Sequence, residues 1–154
     1  MSKSRATVHA PRCDHSVILS NSFNAGWERP FRSLLLEEPI VRRVHYYPRA
    51  LRVAMYVQSR LPDQIGLSEA AKVAEMAPTA FSRYFSDKVG ISFTFFVKTL
   101  RIERAIESIE CSDCTIRSLS ESSGYTSFCS FSRAFREVVG MTPSEYRRST
   151  LASE

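Results

Sequence analysis

The sequence predicts an all-α fold in which two helix-turn-helix units, joined by one long linker helix, follow an irregular N-terminal segment. Three observations lead to this prediction. The phrase FSRYFSDKVG, which begins at Phe81, recurs fifty residues later as FSRAFREVVG from Phe131. From Pro48 onward, the helical period of apolar residues is almost continuous. Between the two phrases, the stretch SFTFFVKTLRIERAIESIE contains no Pro or Gly.

The change in pattern near residue 48 divides the chain. Residues 1–47 carry scattered turn signals and short apolar runs without a lasting period, so we expect an irregular segment there, with room for short elements and of unknown role. Residues 48–150 are expected to form the double helix-turn-helix domain. Within it, the first unit covers about 67–90, the linker helix about 92–110, and the second unit about 116–140.

Two helices are predicted before the first copy of the phrase. Pro48 suits the first turn of one helix, and Pro62 with Asp63 ends it. Its buried face is expected to hold Leu51, Ala54, Met55 and Gln58. The next helix begins near Leu67, and Ser68 is a candidate N-cap. Its narrow apolar stripe consists of Leu67, Ala70, Ala71 and Ala74.

The first copy of the phrase predicts an amphipathic helix. Pro78 suits its first turn, and Phe81, Phe85 and Val89 recur at i, i+4 and i+8, which places them on one buried face. Gly90 is expected to end the helix in the left-handed conformation. The side chains that fall away from the buried face, toward solvent or a partner, are Thr79, Ser82, Arg83 and Ser86.

The second copy predicts the same arrangement. A short helix is marked by Ile116 and Leu119, Gly124 makes the turn, Ser127 caps the next helix and Gly140 ends it. The buried residues are expected to be Phe131, Phe135, Val138 and Val139. The outward-facing residues are expected to be Cys129, Ser132, Arg133 and Arg136. Leu67 precedes Phe81 by 14 residues and Ile116 precedes Phe131 by 15, so the second turn is one residue longer.

The predicted length of the linker helix suggests why the unit is repeated. Its apolar residues cover more than one face: Phe96, Val97, Leu100, Ile102, Ala105, Ile106 and Ile109. A helix of this length spans about 25–28 Å. Successive major-groove segments on one side of a duplex lie about 34 Å apart. A rigid connector of this order, together with the offset of the units, can present both outer faces to one side of DNA.

Composition and charge are compatible with an acidic partner, of which nucleic acid is one kind, and they give no sign of catalysis. The net charge of +5 and the pI of about 9.2 suit an acidic partner. No run of 18 apolar residues and no signal-peptide core is present, so we expect a cytoplasmic protein without membrane contact. Residues 48–154 contain no histidine, so no Ser/His/Asp or Cys/His constellation can form there. We therefore expect no enzyme and no cofactor.

The four cysteines are expected to be reduced thiols: Cys13, Cys111, Cys114 and Cys129. The pair Cys111 and Cys114 also has the spacing of a redox or metal half-site. A structural zinc site would need two more ligands, and all three histidines lie within the first 47 residues. No metal site is therefore predicted, and redox activity of the pair stays an open alternative.

From about Ala50 to Arg148, the sequence resembles the DNA-binding region of the AraC/XylS family of bacterial transcription regulators. The resemblance rests on FSRYFSDKVGISF, on LRIERA in the linker helix, and on GYTSFCSFSRAFREVVGMTPSEYRR in the second unit. It implies a domain of about seven helices whose two recognition helices enter successive major grooves. It also implies an activator that recruits RNA polymerase. Residues 1–47 are too few for a full sensor domain, so the chain resembles the small members that bind as monomers or weak dimers. It could equally be a truncated relative or a remnant.

The resemblance also implies which side chains contact DNA. Base-edge contacts in the first unit would come from Thr79, Ser82 and Arg83. Those in the second would come from Phe128, Cys129, Ser132 and Arg133. Arginine can donate two hydrogen bonds to guanine, whereas Phe128 and Cys129 offer at most an apolar contact, for example with a thymine methyl group. The second unit is therefore expected to read bases more weakly and to bind mainly the DNA backbone. Glu75 stands where the family usually has a small residue, and we expect it to keep a negative φ.

Other interpretations stay open. Arg83 and Arg133 could be solvated, or could pair with Asp87 and Glu137 at i+4. Phe128 could turn inward or outward. The chain could also be a protein-binding anti-regulator that has lost its affinity for DNA. A third alternative is a methyl-accepting repair and regulatory protein that uses Cys13, although the cysteine cluster that such a protein needs is absent.

Overall fold

The computed structural model describes residues 35–111 and 115–151, and in these ranges it contains eight α-helices and no strand. The helices are α1 (Glu38–Tyr46), α2 (Pro48–Arg60), α3 (Leu67–Val73), α4 (Pro78–Val89), α5 (Phe93–Cys111), α6 (Ile116–Ser122), α7 (Phe128–Val139) and α8 (Pro143–Leu151). The all-α prediction is confirmed. Helices α3 and α4 form the first helix-turn-helix unit, α6 and α7 form the second, and α5 is the linker helix.

Helix α1 lies within the segment that was predicted to be irregular with possible short elements, and it is one such element, although its position was not predicted. Val41 and Val44 are buried, and α1 packs against α2 and α4. A Cβ atom built on Gly90 would lie 2.4 Å from an Arg43 guanidinium nitrogen, which shows how closely α1 approaches the end of α4. Residues 1–34 lie outside the described residues.

The apolar residues form two cores, one in each unit, and the fifty-residue repeat extends into both of them. In the first core, the Phe85 ring lies 5.6 Å from Phe81 and 5.2 Å from Phe96. In the second, the Phe135 ring lies 5.8 Å from Phe131 and 5.7 Å from Tyr146. Because burial of each phenylalanine contributes about 1.5–3 kcal/mol, these stacks hold α4 and α7 in place. Helix α8 therefore packs an aromatic ring against α7, as the start of α5 does against α4.

Helix α5 contributes to both cores, which explains why its apolar residues cover more than one face. Phe93, Phe96, Val97 and Leu100 lie in the first core. Ile102, Ala105, Ile106 and Ile109 lie in the second. All seven apolar positions predicted for the linker helix are buried, as expected.

Several helix ends follow the sequence prediction. Pro48 and Pro78 occupy the first turns of α2 and α4. The side chain of Ser127 accepts a hydrogen bond from the backbone N–H of Ser130 at 3.2 Å, and this cap fixes the start of α7. Gly90 and Gly140 are left-handed and end α4 and α7.

Three details of the prediction are wrong. The N-cap of α3 is Gly66, and no side chain caps that end, so Ser68 is not the cap. Leu67 and Met55 were predicted to be buried but are 36% and 45% exposed. Helix α2 instead turns a face of small and β-branched residues inward, made of Ala50, Val53, Ala54 and Val57. This face allows closer helix contact than one that includes Met55.

Candidate nucleic-acid interface

Helices α4 and α7 each turn a polar face away from their core. In α4, Thr79, Ser82 and Arg83 are exposed and Ser86 is partly exposed. Phe81, Phe85 and Val89 occupy the opposite face and are fully buried. The spacing of four residues between these buried side chains thus decides which other side chains can reach a partner.

Helix α7 repeats this division with a less polar start. Of its predicted outward-facing residues, Phe128, Cys129, Arg133 and Arg136 are exposed and Ser132 is partly exposed. The sequence left open whether Phe128 turns inward or outward. In the structure the side chain is 46% exposed, so it turns outward. Val138 and Val139, predicted to be buried, are only partly so, and they pack at the edge of the second core.

The arginines at equivalent positions, Arg83 and Arg133, make no ion pair within the described residues. The pairing of Arg133 with Glu137 does not form because Lys98 on α5 donates to both carboxylate oxygens of Glu137, at 2.7 and 2.8 Å. Both guanidinium groups therefore keep their donors available. A planar group with five N–H donors can bind guanine or phosphate through two hydrogen bonds at once.

The two turns share one backbone conformation. Glu75 has φ of +57°, and Gly124, at the corresponding place, has φ of +79°. The same helix-ending hydrogen bonds surround each residue: Met76 N–H to Ala71 at 2.9 Å, and Tyr125 N–H to Ser120 at 3.1 Å. The expectation of a negative φ at Glu75 is therefore wrong. The helix ending imposes the left-handed conformation, and a residue with a Cβ atom occupies it at a cost of about 1–2 kcal/mol.

The carboxylate of Glu75 is paired rather than free. The Nη1 of Arg52 on α2 donates to it at 2.7 Å, and the two side chains are 49% and 72% exposed. An ion pair this exposed contributes only about 0–1 kcal/mol. The pair therefore contributes little to stability, and it places a cation beside the carboxylate in this turn.

The second turn contains the extra residue that the sequence predicted. Residues 74–77 connect α3 to α4, whereas residues 123–127 connect α6 to α7. Phe81 follows Glu75 by six residues and Phe131 follows Gly124 by seven, so the insertion lies after the left-handed residue.

No metal site is seen in the part of the chain that the structure describes, where no three His, Cys, Asp or Glu side chains are grouped to hold an ion. Cys129 is a free, exposed thiol. The other cysteine predictions fall elsewhere: Cys13 and Cys114 lie outside the described residues, as does the side chain of Cys111. In the same ranges, no helix is both long enough and apolar enough to cross a membrane.

Comparison with known proteins places this geometry in a family. A family model described as a helix-turn-helix domain matches residues 70–149, just over half of the chain. The fold matches the C-terminal domain of AraT, a response regulator from Geobacillus stearothermophilus, with a TM-score of 0.62 and 29% sequence identity. That match covers 67% of this chain and 86% of the AraT domain. The chain belongs to the AraC/XylS family. As a family member it carries the helix-turn-helix domain typical of the family's transcription regulators.

Further solved structures and curated proteins are also similar to this chain. The chain matches the DNA-binding domain of AdpA, solved in complex with a target DNA, with a TM-score of 0.63 and 25% identity over 70% of this chain and 96% of that domain. An uncharacterized HTH-type transcriptional regulator of Staphylococcus aureus is 26% identical over 126 residues, which cover 73% of this chain and 17% of that protein. Regulatory protein PocR of Salmonella typhimurium is 31% identical over 65% of this chain and 32% of its own length. The chain thus spans about a sixth to a third of these two curated relatives.

Proposed function

We propose that the chain is a sequence-specific regulator, most simply an activator, that places α4 and α7 in two successive major grooves of a promoter. The observation that carries this proposal is the pair Arg83 and Arg133. They stand at equivalent positions of the two units, both are exposed, and neither is engaged in an ion pair within the described residues. A duplicated, unpaired cation on a duplicated recognition helix fits a partner that itself repeats.

Each helix is assigned contacts by its chemistry. Arg83 and Arg133 donate to guanine in the major groove, and Thr79 and Ser82 bond to bases or phosphates. Ser86 and Arg136 lie nearer the ends of their helices and contact the DNA backbone. In α7 the remaining contacts are Phe128, Cys129 and Ser132. The exposed apolar pair Phe128 and Cys129 is suited to thymine methyl groups, so the second half-site is expected to discriminate less between bases than the first.

The setting of this function follows from the assignment. A regulator of bacterial promoters works in the cytoplasm, and activation requires contact with RNA polymerase. With one recognition helix in each unit, a single chain carries both reading heads, so we propose that it binds as a monomer or weak dimer. The AdpA domain, which shares this fold, is bound to a target DNA in its structure, which supports duplex DNA as the ligand.

The first experiment is selection from a random duplex library, followed by binding measurements on the selected site. Arg83→Ala and Arg133→Ala are each expected to lose about 1–3 kcal/mol and to relax specificity in one block of the site, because a base contact is lost. Arg42→Ala is the matched control, since Arg42 is an exposed arginine on α1 that pairs with Glu38. Two blocks about one helical turn apart, each sensitive to its own arginine, are the expected result.

A second candidate function is a protein-binding anti-regulator. The exposed ring of Phe128 favours it, because an exposed aromatic side chain at the start of α7 also suits a protein partner. The same selection distinguishes the two functions. If no site is enriched and binding stays weak at low salt, the regulator proposal fails, and the outer face of α7 becomes the place to look for a protein contact.

A further inference from the structure

A polar junction joins the two units at the middle of α5. Arg101 is 9% exposed, and its Nη2 donates to the backbone carbonyl of Asp63 at 2.6 Å. Its Nη1 lies 3.4 Å from Oε1 of Gln64. On the other side, the guanidinium carbon lies 5.9 Å from the ring centroid of Tyr125. One side chain of the linker helix therefore contacts the loop before the first unit and the turn of the second.

The loop of residues 61–65 also contacts the second unit directly. The side-chain Nε2 of Gln64 donates to the carbonyl of Gly124 at 2.5 Å. A Cβ atom at Gly124 would lie 2.1 Å from the carbonyl oxygen of Pro62, so this turn can approach the loop only because residue 124 is glycine. The turn that directs α7 thus rests on the loop that precedes the first unit.

Two more bonds join α5 to its surroundings. Arg104 donates to the carbonyl of Leu61 at 2.9 Å, which fixes the same loop. Lys98 donates to Glu137 on α7, as described above. A cleft of about 230 Å³ lies between the loop, α5 and Tyr125. The units therefore touch through polar bonds beside a cleft, and not through a shared apolar core.

Arg101 is a costly residue in this place. Burial lowers the pKa of its guanidinium, and its Nε has no hydrogen-bond partner among the described residues. A buried charge that is incompletely paired is weak support for stability, and apolar replacements of such groups often stabilise a protein. The group lies between the cores rather than inside either one. This position indicates a role in orientation.

We infer that Arg101 is a positioning residue that, with Gln64, sets the orientation of α7 relative to α4 and thereby the spacing of the two half-sites that the chain accepts. The inference rests on the proposed function, because it presumes that both helices read DNA. One added base pair moves a half-site by about 3.4 Å and rotates it by about 35°. A fixed junction cannot follow such a change, whereas a loosened one can.

The test compares wild type, Arg101→Met and Arg101→Lys on the selected site, on versions with one or two base pairs added or removed between the blocks, and on a single block. Wild type is expected to lose about tenfold or more in affinity when the spacing changes, since one unit is disengaged. Arg101→Met is expected to bind the original spacing more weakly, to lose less than about threefold on altered spacings, and to bind a single block like wild type. Arg101→Lys, which keeps a donor for the Asp63 carbonyl, should recover part of the spacing preference.

The outcomes separate the two claims. If wild type selects no two-block site, the proposed function fails, whatever the variants do. If wild type depends on spacing and Arg101→Met shows the same dependence, the inference is overturned and the function stands. Gln64→Ala is the second variant in case Arg101→Met does not fold, because Gln64 is exposed and contributes to neither core. It is expected to broaden the spacing preference in the same direction, and an unchanged profile for it would also overturn the inference.

Discussion

Glu75 keeps a left-handed backbone in the turn of the first unit, where its counterpart is glycine. We expect Glu75→Gly to be more stable than Glu75→Ala by about 1 kcal/mol. Both variants lose the ion pair with Arg52, but only glycine removes the cost of the left-handed conformation, about 1–2 kcal/mol. Part of this gain is offset because glycine gives the unfolded chain more conformational entropy. This order is the reverse of the usual preference for alanine over glycine. Urea unfolding of both variants measures it.

Arg52→Ala is the control for the ion pair in that comparison. It removes the 2.7 Å contact without changing the backbone at Glu75, and it should cost at most about 1 kcal/mol. A Glu75→Ala variant as stable as Glu75→Gly would show that the turn relaxes to a negative φ, contrary to the structure.

Glu145 gives the stability of α8 a dependence on pH. The backbone N–H of Thr142 donates to its carboxylate at 2.8 Å, the Thr142 hydroxyl does so as well, and the N–H of Glu145 donates back to that hydroxyl at 3.3 Å. This reciprocal pair is a capping box. The bonds from the Thr142 backbone and then from its hydroxyl lower the pKa of Glu145 below its ordinary value of 4.5.

A lowered pKa in the folded state stabilises the protein above the unfolded pKa, and this contribution is lost as the pH falls through the lower folded value. We therefore expect Glu145→Gln to be destabilising at pH 7 and to approach wild type as the pH falls below about 4.5. Unfolding free energies at pH 7 and pH 3 measure the effect. Glu107→Gln, which removes an exposed carboxylate on α5 without a capping role, is the control and should show no such convergence. A gap between Glu145→Gln and wild type that is equal at both pH values would contradict the prediction.

Among the connecting elements, two of the left-handed glycines, Gly124 and Gly140, differ in their surroundings. Gly140 has nothing within 4 Å of a built Cβ atom, whereas at Gly124 the Pro62 carbonyl would lie 2.1 Å away. Gly140→Ala should cost about 1–2 kcal/mol from its backbone alone. Gly124→Ala should cost about 1–3 kcal/mol more, because a backbone oxygen must move. Thermal or urea unfolding of the two variants compares them, and equal losses would show that the loop yields freely.

Most of the helices could be predicted from the sequence because long periodic runs and their end signals agree with one another. In α4, for example, both the period and the ends are marked. The period comes from Phe81, Phe85 and Val89, and the ends are marked by Pro78 and Gly90. Helix α1 has only nine residues and two buried valines, so its pattern is too short to stand out from the surrounding turn signals. Met55 and Leu67 were misplaced because periodicity gives the direction of a helical face but not how closely a neighbouring helix approaches it.

The candidate site was predictable only in part. The outward residues of α4 and α7 follow from the period of their buried partners, so their exposure could be expected. The contacts of Glu75 with Arg52, and of Arg101 with Asp63, join residues 23 and 38 positions apart. Neither residue type nor spacing indicates such pairs, because they arise from the packing of helices around α5. Tertiary structure alone reveals the junction.

The net charge of the whole chain is too small for strong long-range attraction to DNA. The proposed binding therefore depends on where individual cationic side chains lie. The net charge of the full sequence is +5, and several arginines are already engaged with carboxylates. Each phosphate contact contributes about −0.9 to the slope of log K against log salt. We expect Arg136→Ala to lower affinity about equally on all sequences and to reduce that slope by about 1.

Titration of binding against salt checks this expectation for Arg136→Ala. Arg42→Ala again serves as the control and should leave the slope unchanged, because its guanidinium pairs with Glu38 on α1. If Arg136→Ala instead changes the preferred bases while the slope stays constant, Arg136 contacts a base, and its assignment to the DNA backbone is wrong.

The contact between Gly124 and the Pro62 carbonyl has a consequence for how such a chain can be recombined. Although the sequence repeats itself, the two units cannot simply be exchanged. The turn of the second unit packs against the loop that precedes the first unit, and it fits only that loop. In a chimaera that takes α6 and α7 from another protein, the foreign turn would not match the loop of residues 61–65. Grafts that carry residues 61–65 together with α5 and the later half should succeed where grafts of the later half alone fail. In this architecture, the natural unit of exchange is larger than the unit of repetition.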